Sequence, residues 1–412
     1  MRPQKIPMIF SCLLVLLLFL GTFRPAQGDV FSGKAPPQPH HLGEEISEED
    51  EVLAKLAAAI AKEKEESPRK RALEKMRDCV KQGSTILDLR HLSLTCLPVE
   101  IGLLANLETL DLGSHYTRRQ IKKGNYLTSL PAEIGQLKKL TSLGLRNNNL
   151  ANLPPELGQL KNLKYLDLAL NKLASLPTEI GQLKNLEEFS LRGNLLTSFP
   201  AEVVQLKKLK VLDFNANNLT SIPTEIGQLE NLEWLTLYAN QLTKLPIEIS
   251  QLKKLTTLGL SSNQLTELPA EIGQLENLTE LMLSGNRLTS LPVEIGRLKN
   301  LEILEFNTQE FIATNNKNQL AKLPVEIGQL KKLKSLRLPE SKLTSLPVEI
   351  TQLKNLTELD LGYNQLTTLP SEVVGLDSLK GLDLRENLFS DKEKQRLDKM
   401  LKSALPECKV RW

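Results

Sequence analysis

Aromatic residues make up only 4% of this 412-residue chain, and cysteine and histidine number four each. The few Cys and His residues do not fall at ligand spacing, so a zinc centre of the usual kind is not indicated. Neither G-x-S-x-G nor H-E-x-x-H nor a phosphate-cradling loop occurs. That removes the signatures of the common serine hydrolases, zinc peptidases and nucleotide binders. No cofactor and no catalytic group of residues is indicated, and the expectation is a protein that is not an enzyme. Net charge is missing too. Arg2, Lys5 and Arg24 are the basic residues of the first 28, and without them Lys plus Arg falls from 52 to 49, equal to the 49 acids. A balanced chain lacks the clustered positive charge on which nucleic-acid binding rests.

A long apolar run occurs only at the start. Arg2 and Lys5 open the chain, residues 8–23 are largely apolar, and Ala26-Gln27-Gly28 follows. Basic start, apolar run and small-residue site, in that order, mark a secretory signal. Residues 1–28 are therefore expected to be a signal peptide cleaved before Asp29, and the protein to be secreted or held at the outer surface or periplasm. An uncleaved segment of about 17 residues would sit at the lower limit for a membrane span; membrane attachment is expected only in that case. Export leaves Cys79, Cys96 and Cys408, an odd number, so at least one thiol is unpaired within a monomer. Cys79 and Cys96 flank the region where a staple of an N-terminal cap would lie.

What the chain has is a period. Twelve Leu-Pro, Ile-Pro or Phe-Pro pairs, from Pro98 to Pro370, share one frame, and nine of the eleven intervals between them are 23 residues. Leu140, Leu143, Leu145, Asn148, Leu150, Leu153 and Pro154 spell it: L-x-x-L-x-L-x-x-N-x-L-x-x-L-P. A fixed period in this range implies a solenoid. Leu143 and Leu145 face inward with Gly144 outward, the alternation of a strand, so stacked units yield one parallel sheet. Proline then turns the chain onto the opposite side, which is too short for regular α-helices. Asn125, Asn148, Asn171, Asn194, Asn217, Asn240, Asn263, Asn286, Asn318, Asn364 and Asn387 are expected to form a buried ladder paired to the backbone, as buried amides must be. Leu92 and Ser341 interrupt it. The fold class is an α/β solenoid, a horseshoe with a parallel concave sheet over residues 84–389.

The ends differ from the units. Residues 29–47 form a polar linker, and two helices within 29–83 are expected, near 47–64 with Ser47 as N-cap and near 68–81 with Pro68 in the first turn. Residues 390–412 read as a helix capped by Ser390, then a short strand at Cys408 to Trp412 that covers the last sheet edge.

Leu130-Pro131-Ala132-Glu133-Ile134-Gly135-Gln136-Leu137, its echoes, and the ending Leu405-Pro406-Glu407-Cys408-Lys409-Val410 give the chain a likeness. Over roughly residues 84–412 it resembles the 23-residue bacterial leucine-rich repeat class familiar from spirochaetes. The resemblance implies secreted or surface-exposed proteins that bind other proteins, host components among them. Nothing specific carries over to residues 29–83.

Within a Leu-built core, Phe189, Phe199, Phe214, Phe306 and Phe389 occupy Leu positions, whereas Tyr165, Trp234 and Tyr238 fall on outward ones. With Val211, Met282 and Ile303 nearby on the sheet, they form the candidate concave contact surface, because Tyr and Trp in an apolar surround are what interface centres use. The same aromatics would also arise from cross-strand packing alone. Two units carry insertions between strand and Asn. One contains Arg118, Arg119, Lys122 and Lys123, the other Phe311 and Ile312. Equal register places both on one rim, and insertions on one face often mark a binding face. The expected partner is a protein of unknown identity. The alternative is a structural envelope protein that self-associates or binds extracellular or cell-wall glycan, for which the basic insertion would serve.

Overall fold

The computed structural model describes residues 47–114, 116–117, 120–121, 124–306 and 317–412, with backbone alone at 116–117 and 120–121. The expected signal peptide and most of the linker lie outside this set.

The chain enters through two helices, α1 (Glu48–Ala61) and α2 (Pro68–Lys81). The Ser47 hydroxyl accepts the Asp50 N–H, and the Ser67 hydroxyl accepts the Lys70 N–H; each satisfies a donor that a helix start leaves unpaired. Pro68 takes the first turn, where its missing N–H carries no penalty. Leu56, Ala59, Ala72, Leu73, Met76 and Cys79 are buried and join the solenoid core. The pair of helices thus closes the apolar end of the first unit. Cys79 donates its thiol proton toward the Ser84 carbonyl oxygen, and Cys96 is exposed. All three cysteines are free, so the Cys79–Cys96 staple considered above is not formed.

Fourteen strands of three residues each then build one parallel sheet from Ile86–Asp88 to Lys409–Arg411. Partners in register sit one repeat apart, as Tyr165 with Glu188 and Glu188 with Val211. Each central strand residue, from Leu87 to Leu382, is buried. Past each strand the chain crosses to the convex side, where proline precedes a five-residue 3-10 segment, such as Thr178–Gln182 after Pro177 or Thr224–Gln228 after Pro223. Proline's fixed φ near −65° sets up this turn without an N–H to satisfy. The five Phe residues assigned to Leu positions are all buried.

The Asn ladder is present. In the central units each side chain spans two repeats: Asn217 Oδ1 accepts the Leu196 N–H at 3.2 Å while its Nδ2 donates to the Leu191 and Phe214 carbonyls at 3.0 Å each. Where Ser341 replaces Asn, its hydroxyl turns back to the Pro339 carbonyl and its N–H is taken by Asn364. Just before the ladder position the backbone is left-handed in most units, as at Asn147 (φ 58°), Ala216 (φ 53°) and Tyr363 (φ 56°). The turn that delivers Asn inward requires this, so side chains as unfavourable there as Tyr are carried by the fold. The recurrent lysines also link repeats. Lys139, Lys208, Lys254 and Lys332 donate to Asn106, Asn185, Asn231 and Asn300 of the preceding unit at 2.7–2.8 Å.

At the far end α3 (Asp391–Ala404) is capped by Ser390 and buries Leu397 and Leu401. Lys409–Arg411 then pairs with Gly381–Asp383 as the final strand.

Candidate functional site

Strand alternation places two residues of every strand and one just beyond it on the concave face. The first outward row runs Tyr165, Glu188, Val211, Trp234, Thr257, Glu280, Ile303 in register. The second runs Asp167, Ser190, Asp213, Thr236, Gly259, Met282, Glu305. Arg192, Asn215, Tyr238 and Ser261 follow beyond the strands.

The concave candidates are therefore on one face, but they are not equally accessible. Tyr165, Tyr238, Met282 and Ile303 are half-buried. Trp234 is only 8% exposed and Val211 7%. Strands about 4.8 Å apart leave little room around a large ring, and Val211 and Thr257 flank Trp234 on both sides. This corrects the expectation that Trp234 stands free on the sheet: it points outward yet is covered by its neighbours. Its Nε1 is buried with no hydrogen-bond partner among the described residues, as are Glu188 Oε2, Ser284 Oγ and Ser335 Oγ. Buried polar atoms are normally paired, so the concave face carries unmet hydrogen-bonding capacity.

Charge is distributed in blocks. Arg90 pairs with Asp88 at 2.6 Å and Asp111 at 3.3 Å, and Arg146 with Asp167 at 3.8 Å. Toward the other end Arg337 bridges Glu305 and Glu358, both at 3.1 Å, and Arg385 holds Asp383 at 2.7 Å. Between these blocks the strands Trp234–Thr236 and Thr257–Gly259 contribute no ionisable side chain. A network supports this neutral window from one side. Asp213 accepts the Asn215 N–H at 2.9 Å and the Thr236 hydroxyl at 3.2 Å, and Asn215 Oδ1 in turn accepts the Tyr238 N–H at 2.7 Å. Burial pushes the Asp213 carboxyl above the usual carboxylate range, against the pull of the Asn215 N–H and Arg192. Asp167 is likewise raised by burial, against Arg146. These acids hold the sheet face in place more than they present charge to solvent.

The sequence reading missed this columnar electrostatics, although its signal was there: Arg, Asp and Glu recur at fixed offsets from the inward Leu pair. Two further tyrosines lie apart. Tyr363 is exposed with the Arg385 guanidinium 5.9 Å from its ring centroid, and Tyr126 is exposed near the first insertion.

Of the rim candidates, Arg118, Arg119, Lys122, Lys123, Phe311 and Ile312 lie outside the described residues. The backbone beside the first four is a small antiparallel pair, Tyr116–Thr117 against Gln120–Ile121. No group of three His, Cys, Asp or Glu side chains able to hold a metal occurs among the described residues. No described helix is long and apolar enough to cross a membrane.

Comparison with known proteins agrees with this geometry. Signatures described as "Leucine-rich repeat region" match residues 155–241 and 225–324, and "Leucine rich repeat" matches 331–389 and 139–160. No curated protein sequence matches the chain. Among solved structures, a leucine-rich repeat protein of Leptospira interrogans is 43% identical with a TM-score of 0.63, over 78% of this chain and 82% of that one. A plant peptide hormone receptor in complex with RGF2 is 31% identical with a TM-score of 0.57, over 73% of this chain and 51% of the receptor. The Arabidopsis receptor kinase HAESA, in complex with the peptide hormone IDA and a co-receptor, is 26% identical with a TM-score of 0.61, over 82% and 58%. With the repeat frame, the single parallel sheet and a well-covered relative in agreement, this chain belongs to the leucine-rich repeat family.

Proposed function

We propose that the protein is exported and binds a protein partner through its concave sheet and the rim that carries the two insertions. The observation that carries this reading is the neutral window around Trp234 and Tyr238. It is a patch of aromatic, hydroxyl and apolar groups, framed by ion pairs that neutralise one another and containing polar atoms left unpaired. Interface centres are depleted of charge and rich in Tyr, Trp and Met. The plant receptors named above are described in complex with their ligands, which favours the same class of role here.

Export follows from the segment ending at Gly28. N-terminal sequencing of protein recovered outside the cytoplasm is expected to begin at Asp29; a chain that keeps Met1 and needs detergent for extraction would replace cleavage with anchoring.

The binding surface is tested with a partner recovered by affinity capture on the mature chain. Tyr238→Ala is expected to weaken binding by about thirtyfold, the equivalent of roughly 2 kcal/mol for one hot-spot aromatic, with an unchanged melting curve. Trp234→Ala is expected to lower both affinity and melting temperature, because that ring also packs against Val211 and Thr257. If Tyr238→Ala combined with Met282→Ala leaves affinity within twofold, the concave sheet is not the site. Binding that collapses with salt and depends on Arg118 and Arg119 would indicate an acidic glycan instead.

A further inference from the structure

On the concave face the Glu188 carboxyl is buried without a contacting counter-charge among the described residues. Glu188 stands at the first outward position of its strand, in register between Tyr165 and Val211, with Trp234 on the strand after Val211. The residue is 7% exposed, and its Oε2 has no hydrogen-bond partner among the described residues. The cation that acts on this carboxyl is already engaged. Lys210 pairs with Glu187 at 2.7 Å and Arg146 with Asp167 at 3.8 Å. The Ser190 hydroxyl, on the same strand, is turned to Asp213. Burial, and then the negative charge of Glu187, hold the Glu188 proton up to about 7, with only Lys210 opposing.

We propose that Tyr165, Glu188, Val211 and Trp234 form a receptor for a single cationic side chain, Lys or Arg, of the protein partner. The proposal rests on the concave-docking reading and specifies its chemistry. A carboxylate removed from water is costly unless a cation meets it, and among the described residues no ion pair to Glu188 forms. Aromatic rings attract a cation through their faces, and half-buried Tyr165 stands beside Glu188, while Trp234, covered by its neighbours, borders the far side of Val211. Trp234 lies two strands from Glu188, about 10 Å at the spacing of a parallel sheet. A Lys or Arg stem laid along Val211 can bridge that distance with its apolar part while its head reaches the carboxyl. An anionic or neutral group gains neither interaction.

The test uses small probes, so it does not wait on a partner. N-acetyl-arginine amide is titrated into the mature chain, with N-acetyl-citrulline amide as a probe of similar shape that lacks the charge. The arginine probe is expected to bind at least about tenfold more tightly. That preference should vanish in E188Q and persist in E187Q. Binding must also displace the Glu188 proton, because a cation favours the ionised form. Proton release should be greatest toward acid pH and fall away as pH rises to 9, read from calorimetry in buffers of different ionisation heat. Equal affinity for the two probes, a preference that survives E188Q, or binding of the arginine probe to the wild-type chain without proton release would each overturn the proposal; the last needs no variant. The two readings fail separately. Loss of partner binding in Tyr238→Ala without any arginine preference removes the cation receptor alone, whereas an arginine preference with partner binding indifferent to the concave variants removes docking there.

Discussion

Asn263→Ala will destabilise the solenoid by about 3–5 kcal/mol, a large share of the stability of any domain. Asn263 is completely buried. Its Oδ1 accepts the Leu242 N–H at 3.0 Å, and its Nδ2 donates to the Leu237 and Leu260 carbonyls at 2.9 Å each. Alanine leaves at least one donor and two acceptors stranded inside the core, each at about 1–3 kcal/mol. The damage reaches two units, since Leu237 and Leu242 belong to the repeat before. Asn277→Ala is the matched control: that residue donates to the Lys253 carbonyl at 2.8 Å from the exposed rim, where water replaces the lost partner, and its effect should stay within about 0.5 kcal/mol. Hydrogen exchange across residues 235–265 checks both, and is a better gauge than one melting temperature because repeat arrays lose cooperativity when one interface weakens. Equal effects of the two substitutions would mean that the ladder does not hold the repeats together.

Removing residues 405–412 will open the solenoid from its C-terminal end. Among the described residues, Lys409–Arg411 is the strand that covers Gly381–Asp383 on that side of the sheet. Within it the Lys409 N–H donates to the Lys380 carbonyl at 2.9 Å, and the Arg411 carbonyl accepts the Leu384 N–H at 2.8 Å. Leu405 is buried, and Trp412 meets Phe389 edge-on with ring centroids 6.1 Å apart. Deletion exposes the flank of Leu382 and Leu384 together with an unpaired parallel edge, the combination that leads to strand pairing between molecules. The truncated chain is expected to aggregate, or to exchange amide hydrogens in residues 356–389 at least about tenfold faster. Exchange there that matches the full-length chain would show that α3 suffices as a cap.

Much of this architecture was legible in the sequence because each repeat restates the same local instruction. The alternation at Leu143-Gly144-Leu145, the proline that ends each crossing, and the Asn that must find backbone partners each rest on the chemistry of a few adjacent residues. The ends were equally readable. Ser47 and Ser390 cap helices and Pro68 opens one, each at the position its side chain favours, and the residues from Cys408 to Trp412 were legible as a closing strand. The residues of the candidate site were legible as outward positions. Their condition was not.

What the sequence by itself determined is therefore the period, the inward and outward faces, and the residues that fill the core, since all of these follow from side-chain alternation and backbone geometry within one unit. The tertiary structure alone decided which outward groups are reachable and which charges are spent. Trp234 is covered because Val211 and Thr257, each a full repeat away, come to lie about 4.8 Å to either side. Arg337 is neutralised because Glu305 and Glu358 arrive beside it from two other units, one across an insertion. Glu188 keeps an oxygen with no hydrogen-bond partner among the described residues, because the cation that acts on it, Lys210, is taken by Glu187. Burial and pairing on a stacked sheet are properties of neighbours that the chain brings together only by folding, and no window along the sequence contains them.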